Sequence, residues 1–465
     1  MYIEQIYTKC LAEASYYIES NGEAAVIDPL RETQPYLDLA EERGAKIKYV
    51  FETHFHADFV SGHIDLARTS NAKIVFGPLA NTSYQIYNAK DGEQFDLGSI
   101  QIVAMHTPGH TKESTVWLLK DENGRDHCIF TGDTLFIGDV GRPDLSQKDG
   151  TMTSEDMAAM LYDSLRTKIM PLADEVMVYP AHGAGSACGK SMSKETFATL
   201  GHQKIHNYAL QDISKEQFVK ELTTGILPAP QYFAKNATLN KSGYDPIEEV
   251  LQRGTKGLSP EEVRNFIKEG ALLLDVRKPD DFALGHAKGS LFIGLDGSFA
   301  VWVGTLIENL NQGIIVLAPE GREKEATKRL ARVGYDNCLG YVDGGLAALV
   351  DADFEIGNVS EVSAKELEMQ MEASDLSIVD VRKPGEYDSC SITGAQHYAL
   401  DFIHNQEEVI NAETDTFVHC AGGYRSMIAI SILKKRGYDK LVNVKGGMSA
   451  IKQTTIPLSE MACSM

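Results

Sequence analysis

Hydrophobic positions in the C-terminal half fall into short β-branched runs separated by stretches of helical period. Residues 377–381 and Thr416–His419 predict strands, and 426–436 predicts a helix that Gly437 stops. Strands alternating with helices imply a parallel sheet with helices on its faces. The pattern is also duplicated. Leu273-Leu274-Asp275-Val276-Arg277-Lys278-Pro279 returns about a hundred residues later as Ile378-Val379-Asp380-Val381-Arg382-Lys383-Pro384. Gly334-Tyr335-Asp336 returns as Gly437-Tyr438-Asp439, and Asp343-Gly344-Gly345-Leu346 as Lys445-Gly446-Gly447-Met448. A repeat of that length is domain-sized, which makes it a tandem duplication and not a solenoid.

The N-terminal half reads differently. Residues 24–28, 49–52, 73–76, 100–106, 114–119, 128–131 and 175–179 predict strands. Many of them run into a polar cluster: 53–58, 106–110, Gly132-Asp133, and His182. Histidines and aspartates gathered at strand ends describe a metal site at the edge of a β-sandwich. The stretch 201–257, which contains Leu227-Pro228-Ala229-Pro230, reads as the end of the first domain plus a linker. The expected organisation is an α/β multidomain chain with domains at 1–250, 258–355 and 360–465.

Composition narrows the function classes. The 465 residues carry a formal net charge of −22, which argues against nucleic acid or an anionic membrane as main partner, since both call for clustered Lys and Arg. No apolar run is long enough to cross a bilayer. Met1-Tyr2-Ile3-Glu4-Gln5 has no basic n-region, so a cytoplasmic location is expected. The seven cysteines, at 10, 128, 188, 338, 390, 420 and 463, are odd in number and scattered. In so large a chain they read as free thiols in a reducing compartment, with one or two reactive.

Four blocks offer metal ligands: His54, His56 and Asp58 in the first, then His110, Asp133 and His182. Imidazole and carboxylate suit Zn, Fe or Mn. These blocks resemble the metallo-β-lactamase fold, and within it the glyoxalase II and persulfide dioxygenase branch, which implies an αββα sandwich. The family motif His-x-His-x-Asp-His ends here on Phe59. In the binuclear hydrolases that last His binds the second metal. The resemblance therefore implies one Fe(II) held by His54, His110 and Asp133, the two-His-one-carboxylate set of non-haem oxygenases. His56, Asp58 and His182 would then orient ligands and water from outside, or His56 would be a fourth ligand as in the hydrolases. Arg142 lies where these enzymes place a substrate-side basic residue, fit to hold a thiol's carboxylates; a surface salt bridge is the other reading. Cys188, six residues after His182, is a candidate relay or sensor thiol beside a passive reading.

The second chemical signal is Phe417-Val418-His419-Cys420-Ala421-Gly422-Gly423-Tyr424-Arg425-Ser426. A Cys at a strand end, followed by a Gly-rich turn into a helix, meets backbone N–H groups and the positive end of the helix dipole. Both favour the thiolate, as does Arg425. The loop resembles the active loop of a rhodanese sulfurtransferase, whose Cys-x4-Arg cradle is smaller than the Cys-x5-Arg loop of the phosphatase relatives. The resemblance makes Cys420 and Arg425 catalytic and has Ala421, Gly422, Gly423 and Tyr424 bind the substrate. Cys390-Ser391 replaces the usual Gly-His, and Cys390 could be a second thiol. The first repeat has the scaffold, including Gly285-His286, but aligns Ala318 with Cys420, and its loop Ala318-Pro319-Glu320-Gly321-Arg322 is one residue shorter. It reads as an inactive rhodanese with a structural role.

The whole chain resembles the multidomain persulfide dioxygenase–sulfurtransferases of sulfide detoxification. That implies oxidation of a low-molecular-weight thiol persulfide by O2 to sulfite and thiol, coupled to sulfur transfer to or from thiosulfate, in a homo-oligomer. The alternatives are a glyoxalase II-like thioester hydrolase using Zn, and a sulfur-carrier or redox-sensing protein.

Overall fold

The computed structural model describes residues 1–145, 152–406 and 410–460; Cys463 lies outside them. Two compact units emerge, Met1–Glu249 with Ala331–Gly334, and Val250–Leu330 with Tyr335–Met465. Among the described residues no helix is long and apolar enough to cross a membrane.

The first unit is a sandwich of two six-stranded sheets. One runs Tyr2–Thr8, Glu13–Ser20, Glu23–Ile27, Lys46–Phe51, Lys73–Phe76, Tyr87–Asn88, antiparallel at first and parallel from Glu23–Ile27 onward. The other runs Ala198–Thr199, Met177–Pro180, Asp126–Gly132, Thr115–Lys120, Ile100–His106, Gln94–Leu97. Period-two alternation divides each strand between two cores. Tyr16, Ile18, Ala25 and Ile27 face Trp117, Leu119 and Phe130 across the sandwich. Their neighbours Tyr17, Ala24 and Val26 face outward onto Tyr36, Ala40 and Leu66 of helices Gln34–Glu42 and His63–Ser70. On the far face Val116, Leu118 and Ile129 meet Leu161 and Phe218 of helices Ser154–Ser164 and Lys215–Thr223. Helices thus cover both outer faces, the αββα arrangement expected.

One feature differs from the sequence reading. The hairpin Tyr2–Thr8/Glu13–Ser20 was not expected, because its polar positions blur the alternation. Residues 201–249 form helices that fall within the first unit.

In the second unit the duplication appears strand for strand. One five-stranded sheet runs Gly257–Leu258, Cys338–Val342, Ile314–Leu317, Leu272–Asp275, Leu291–Phe292; the other runs Ser360–Val362, Leu441–Val444, Thr416–His419, Ser377–Asp380, Gln396–His397. Every pairing is parallel. Each repeat opens with a capping box, Ser259/Glu262 and Ser363/Glu366, at its first helix. In each, the arginine of the Asp-Val-Arg motif donates Nη2 to its own aspartate at 2.6 Å.

Candidate active sites

The polar blocks of the first unit converge at one end of the sandwich. His54 follows strand Lys46–Phe51, His110 follows Ile100–His106, Asp133 follows Asp126–Gly132, and His182 follows Met177–Pro180. Gly132 makes the turn that admits Asp133. It sits at φ +52°, and a Cβ there would lie 2.5 Å from Thr53 Oγ1, so no other residue fits.

His54, His110 and Asp133 are buried and bring one ligand atom each within 4.8 Å of the others. His110 Nε2 lies 3.3 Å and His54 Nε2 3.9 Å from Asp133 Oδ2. The tautomers follow from the neighbours. His110 Nδ1 donates to Arg142 O at 2.8 Å, leaving Nε2 with its lone pair. Thr53 Oγ1 spends its proton on Asp28 Oδ2 at 2.7 Å, so it accepts from His54 Nδ1 at 2.9 Å, and His54 Nε2 is free as well. Burial, with His56, His110 and His182 nearby, holds His54 well below the usual imidazole range. Neutral imidazoles aimed at a carboxylate are what a metal site needs. Both Asp133 oxygens are buried without a hydrogen-bond partner among the described residues. An unpaired buried carboxylate is costly, so the donor set fits a cation.

A second group, His56, Asp58 and His182, also gathers within 4.8 Å. His182 Nδ1 donates to Ala12 O at 3.2 Å, and its Nε2 lies 3.5 Å from both Asp58 and Asp133. His56 is drawn the other way. Its Nε2 lies 3.1 Å from Asp28 Oδ1 and 3.7 Å from Glu52 Oε2. Burial opposes its charge, but Asp28, Glu52 and Asp58 outweigh that and push it up to about 10. The Phe59 ring packs on the His56 ring, centroids 4.4 Å apart.

Arg142 does not face the mouth as a free cation. Nε and Nη2 grip Asp144 at 2.7 and 2.8 Å, and the guanidinium also donates to Ala187 O and Leu227 O. This corrects the expectation of a substrate carboxylate there: four donors are already committed, and Arg142 ties the loops around the site together. Cys188 is buried beside Asp133 and His182. Burial first, then Asp58 and Asp133, pushes its thiol well above the usual range, so it rests protonated.

A cleft of about 540 Å³ opens on this site, lined by His110, Phe55, Phe233, Ala237, Lys112 and Lys241. One wall is helix Phe233–Ser242, which also carries a residue that motif reading missed. Asn240 is buried and donates Nδ2 to His56 O and Phe59 O at 2.8 and 2.9 Å, while Oδ1 accepts from Ser61 N at 3.0 Å. It staples the metal loop, and no sequence signal marks an Asn in a helix as such a staple. Asn240→Leu is expected to lower stability by about 2–4 kcal/mol, because it strands three buried backbone groups. Denaturant unfolding of the first unit checks this; an unchanged midpoint would exclude the staple.

In the second unit Cys420 ends strand Thr416–His419 and is 1% exposed. Gly423 N donates to its Sγ at 3.0 Å, and helix Tyr424–Lys435 begins directly after. Met448 N and Ser449 N hold the Cys420 and Ala421 carbonyls from behind at 2.7 and 3.0 Å. A Cβ on Gly447 would lie 2.3 Å from Cys420 O, which explains the second Gly-Gly. Arg425 forms a bidentate pair with Glu386 at 2.6 and 2.8 Å, and that pair holds Glu386 below the ordinary carboxylate range. The Arg425 guanidinium therefore braces the loop, and the atom seen on the sulfur is a backbone nitrogen. Cys390 is buried, and its carbonyl accepts from Arg382 Nη2 at 2.6 Å. In the first repeat Ala318 follows strand Ile314–Leu317 with no thiol, and Arg322 pairs with Glu325 and Asp296.

The metallo-beta-lactamase superfamily matches residues 8–182, and the rhodanese-like domain matches twice, at 259–352 and 363–454. The mitochondrial persulfide dioxygenase ETHE1 of Homo sapiens is 31% identical over 212 residues, 45% of this chain and 74% of that protein. The cytoplasmic hydroxyacylglutathione hydrolase of Arabidopsis thaliana is 31% identical over 181 residues, 38% of this chain and 66% of that one. The crystal structure of a metallo-beta-lactamase from Staphylococcus aureus superimposes with a TM-score of 0.64 at 30% identity, covering 74% of this chain and 98% of that chain. Fold and homologues together imply a metal ion at the His/Asp cluster. The chain therefore belongs to the metallo-β-lactamase superfamily, with persulfide dioxygenases among its homologues, and carries two rhodanese-like domains behind that domain.

Proposed function

We propose that the first unit is a non-haem Fe(II) persulfide dioxygenase and that the second rhodanese repeat is a sulfurtransferase working on the same sulfur pool in sulfide detoxification. The observation that carries this is the contrast between the two ligand groups. His54, His110 and Asp133 form one buried set with both imidazole tautomers fixed. In the other group His56 is held by Asp28, and Phe59 packs against its ring where the family's last His would be. A single Fe(II) on two imidazoles and one carboxylate would supply O2 activation and a seat for the persulfide sulfur. The net change is RSSH + O2 + H2O to RSH, sulfite and two protons.

The chain's own residues do the rest. Phe55, Phe233 and Ala237 line the cleft against the apolar stem of a thiol carrier, with His110 at the metal end. Lys241, 5.0 Å over the Phe55 ring, and Lys112 are the cleft's cations for its anionic groups. His182 Nε2 stands 3.5 Å from both Asp58 and Asp133, beside the ligand set, where it would orient ligands or water. At the other site the Cys420 thiolate attacks the outer sulfur of a persulfide, releases the thiol as leaving group and becomes a persulfide itself. Sulfite then takes that sulfur as thiosulfate and restores the thiolate.

The test is oxygen uptake by the Fe(II)-loaded protein given glutathione persulfide, with sulfite, thiosulfate and metal content measured. Uptake with one Fe per chain supports the reading; no uptake with any small persulfide ends it. A thioester hydrolase is the second reading, because His56, Asp58 and His182 do gather around a common point and a hydroxyacylglutathione hydrolase is among the relatives. Two Zn per chain and thioester cleavage would favour it. Lys241→Ala is expected to raise KM for glutathione persulfide about 3- to 10-fold with kcat little changed, the loss of one charge-assisted contact. A KM that stays put would remove Lys241 from substrate binding.

A further inference from the structure

The first rhodanese repeat has no thiol at its loop, yet it reaches the active loop of the second. Tyr424 is the first residue of the helix after the Cys420 loop. Its hydroxyl donates to Gly294 O, in the first repeat, at 2.7 Å. Its ring fills a slot that only glycine leaves open: a Cβ on Gly297 would lie 2.3 Å from Tyr424 Cζ, and one on Gly294 would lie 3.3 Å from Cε2. Seven residues on, along the same helix face, Ser431 Oγ accepts from Phe292 N at 3.0 Å. The helix whose start faces the Cys420 sulfur is thus pinned at two points by the other repeat.

We propose that the thiol-less repeat is a positioning element for the Cys420 cradle, acting through Tyr424; this rests on reading Cys420 as the sulfur-carrying nucleophile. The Gly423 N–H reaches Cys420 Sγ from the residue just before Tyr424. A thiolate is stabilised by N–H groups and the helix end only while they stay aimed at it. The strand end fixes Cys420; within the repeat Arg425 and Ser426 tie the first helical turn to Glu386 and Asn443, and Tyr424 adds a tie from the other repeat. Tyr424 is a positioning residue: its hydroxyl is taken by Gly294 O, and it acts through Gly423 and the helix terminus. On this view the glycines at 294 and 297 are retained as a socket for one ring.

The experiment uses the full chain and follows iodoacetamide alkylation of the Cys420-bearing peptide against pH, together with thiosulfate:cyanide sulfur transfer. Tyr424→Phe removes the hydroxyl alone; Gly297→Ala fills the socket from the other repeat. Both are expected to slow alkylation at neutral pH about fivefold, the worth of one hydrogen bond, to move its midpoint to higher pH, and to lower kcat more than KM. Reduced stability with an unchanged alkylation profile would leave Tyr424 a packing residue and overturn the proposal. An unchanged profile in both variants would do the same. Alkylation reports on the sulfur directly, so a failed sulfurtransferase reading would show separately, as a normal Cys420 profile shift without any transfer activity to lose.

Discussion

Asp133→Ala is expected to abolish metal retention and oxygen uptake together. Asp133 is the one carboxylate that both His54 Nε2 and His110 Nε2 approach, and both its oxygens are buried without hydrogen bonds among the described residues. Losing an outer partner of a metal ligand costs 10- to 100-fold; losing the only carboxylate of the set should exceed about 100-fold in oxygen uptake. A second readout separates this from misfolding. Without metal, both buried Asp133 oxygens lack hydrogen bonds among the described residues, so the metal-free variant should be more stable than metal-free wild type, by about 1–3 kcal/mol. Metal analysis and unfolding of the metal-free proteins decide it. A variant that keeps its metal and turns over would move the site to His56, Asp58 and His182.

Cys420→Ser is expected to end thiosulfate formation and leave oxygen uptake in place, so that sulfite accumulates where thiosulfate would form. A serine hydroxyl at the same strand end meets the same Gly423 N–H but is not ionised at neutral pH and cannot carry sulfane sulfur. Sulfite and thiosulfate measured side by side check this. Sulfur transfer that survives the change would point to Cys390, the other buried thiol among the described residues of the same repeat. Oxygen uptake that falls along with it would mean the two reactions are not separable.

Much of this was legible in the residues. Strand ends running into His or Asp, and a Cys at a strand end before Gly-Gly, are local patterns, and the αββα sandwich and the duplicated parallel sheet both appear. The three arginine and asparagine roles were not legible. By position along the chain Arg142 reads as a substrate-side cation or a salt bridge, and Arg425 as a catalytic residue favouring the thiolate. Each is committed to a carboxylate, Asp144 and Glu386, and in the second case the partner lies 39 residues away. A charged side chain shows its type in the sequence but not its partner, which is whichever opposite charge the fold brings near as both leave water.

Residue type and spacing alone determined the repeat, the four His/Asp blocks at strand ends and the thiol on its glycine loop, because backbone dihedrals and hydrophobic period act over a few residues. Only the tertiary structure decided that Asn240 staples the metal loop, that Phe59 and Asp28 capture His56, and that Gly294 and Gly297 form a socket for Tyr424. The Asn240, Asp28 and Tyr424 contacts join segments far apart in the chain, and close packing with buried hydrogen-bond satisfaction selects such partners only when the whole core closes.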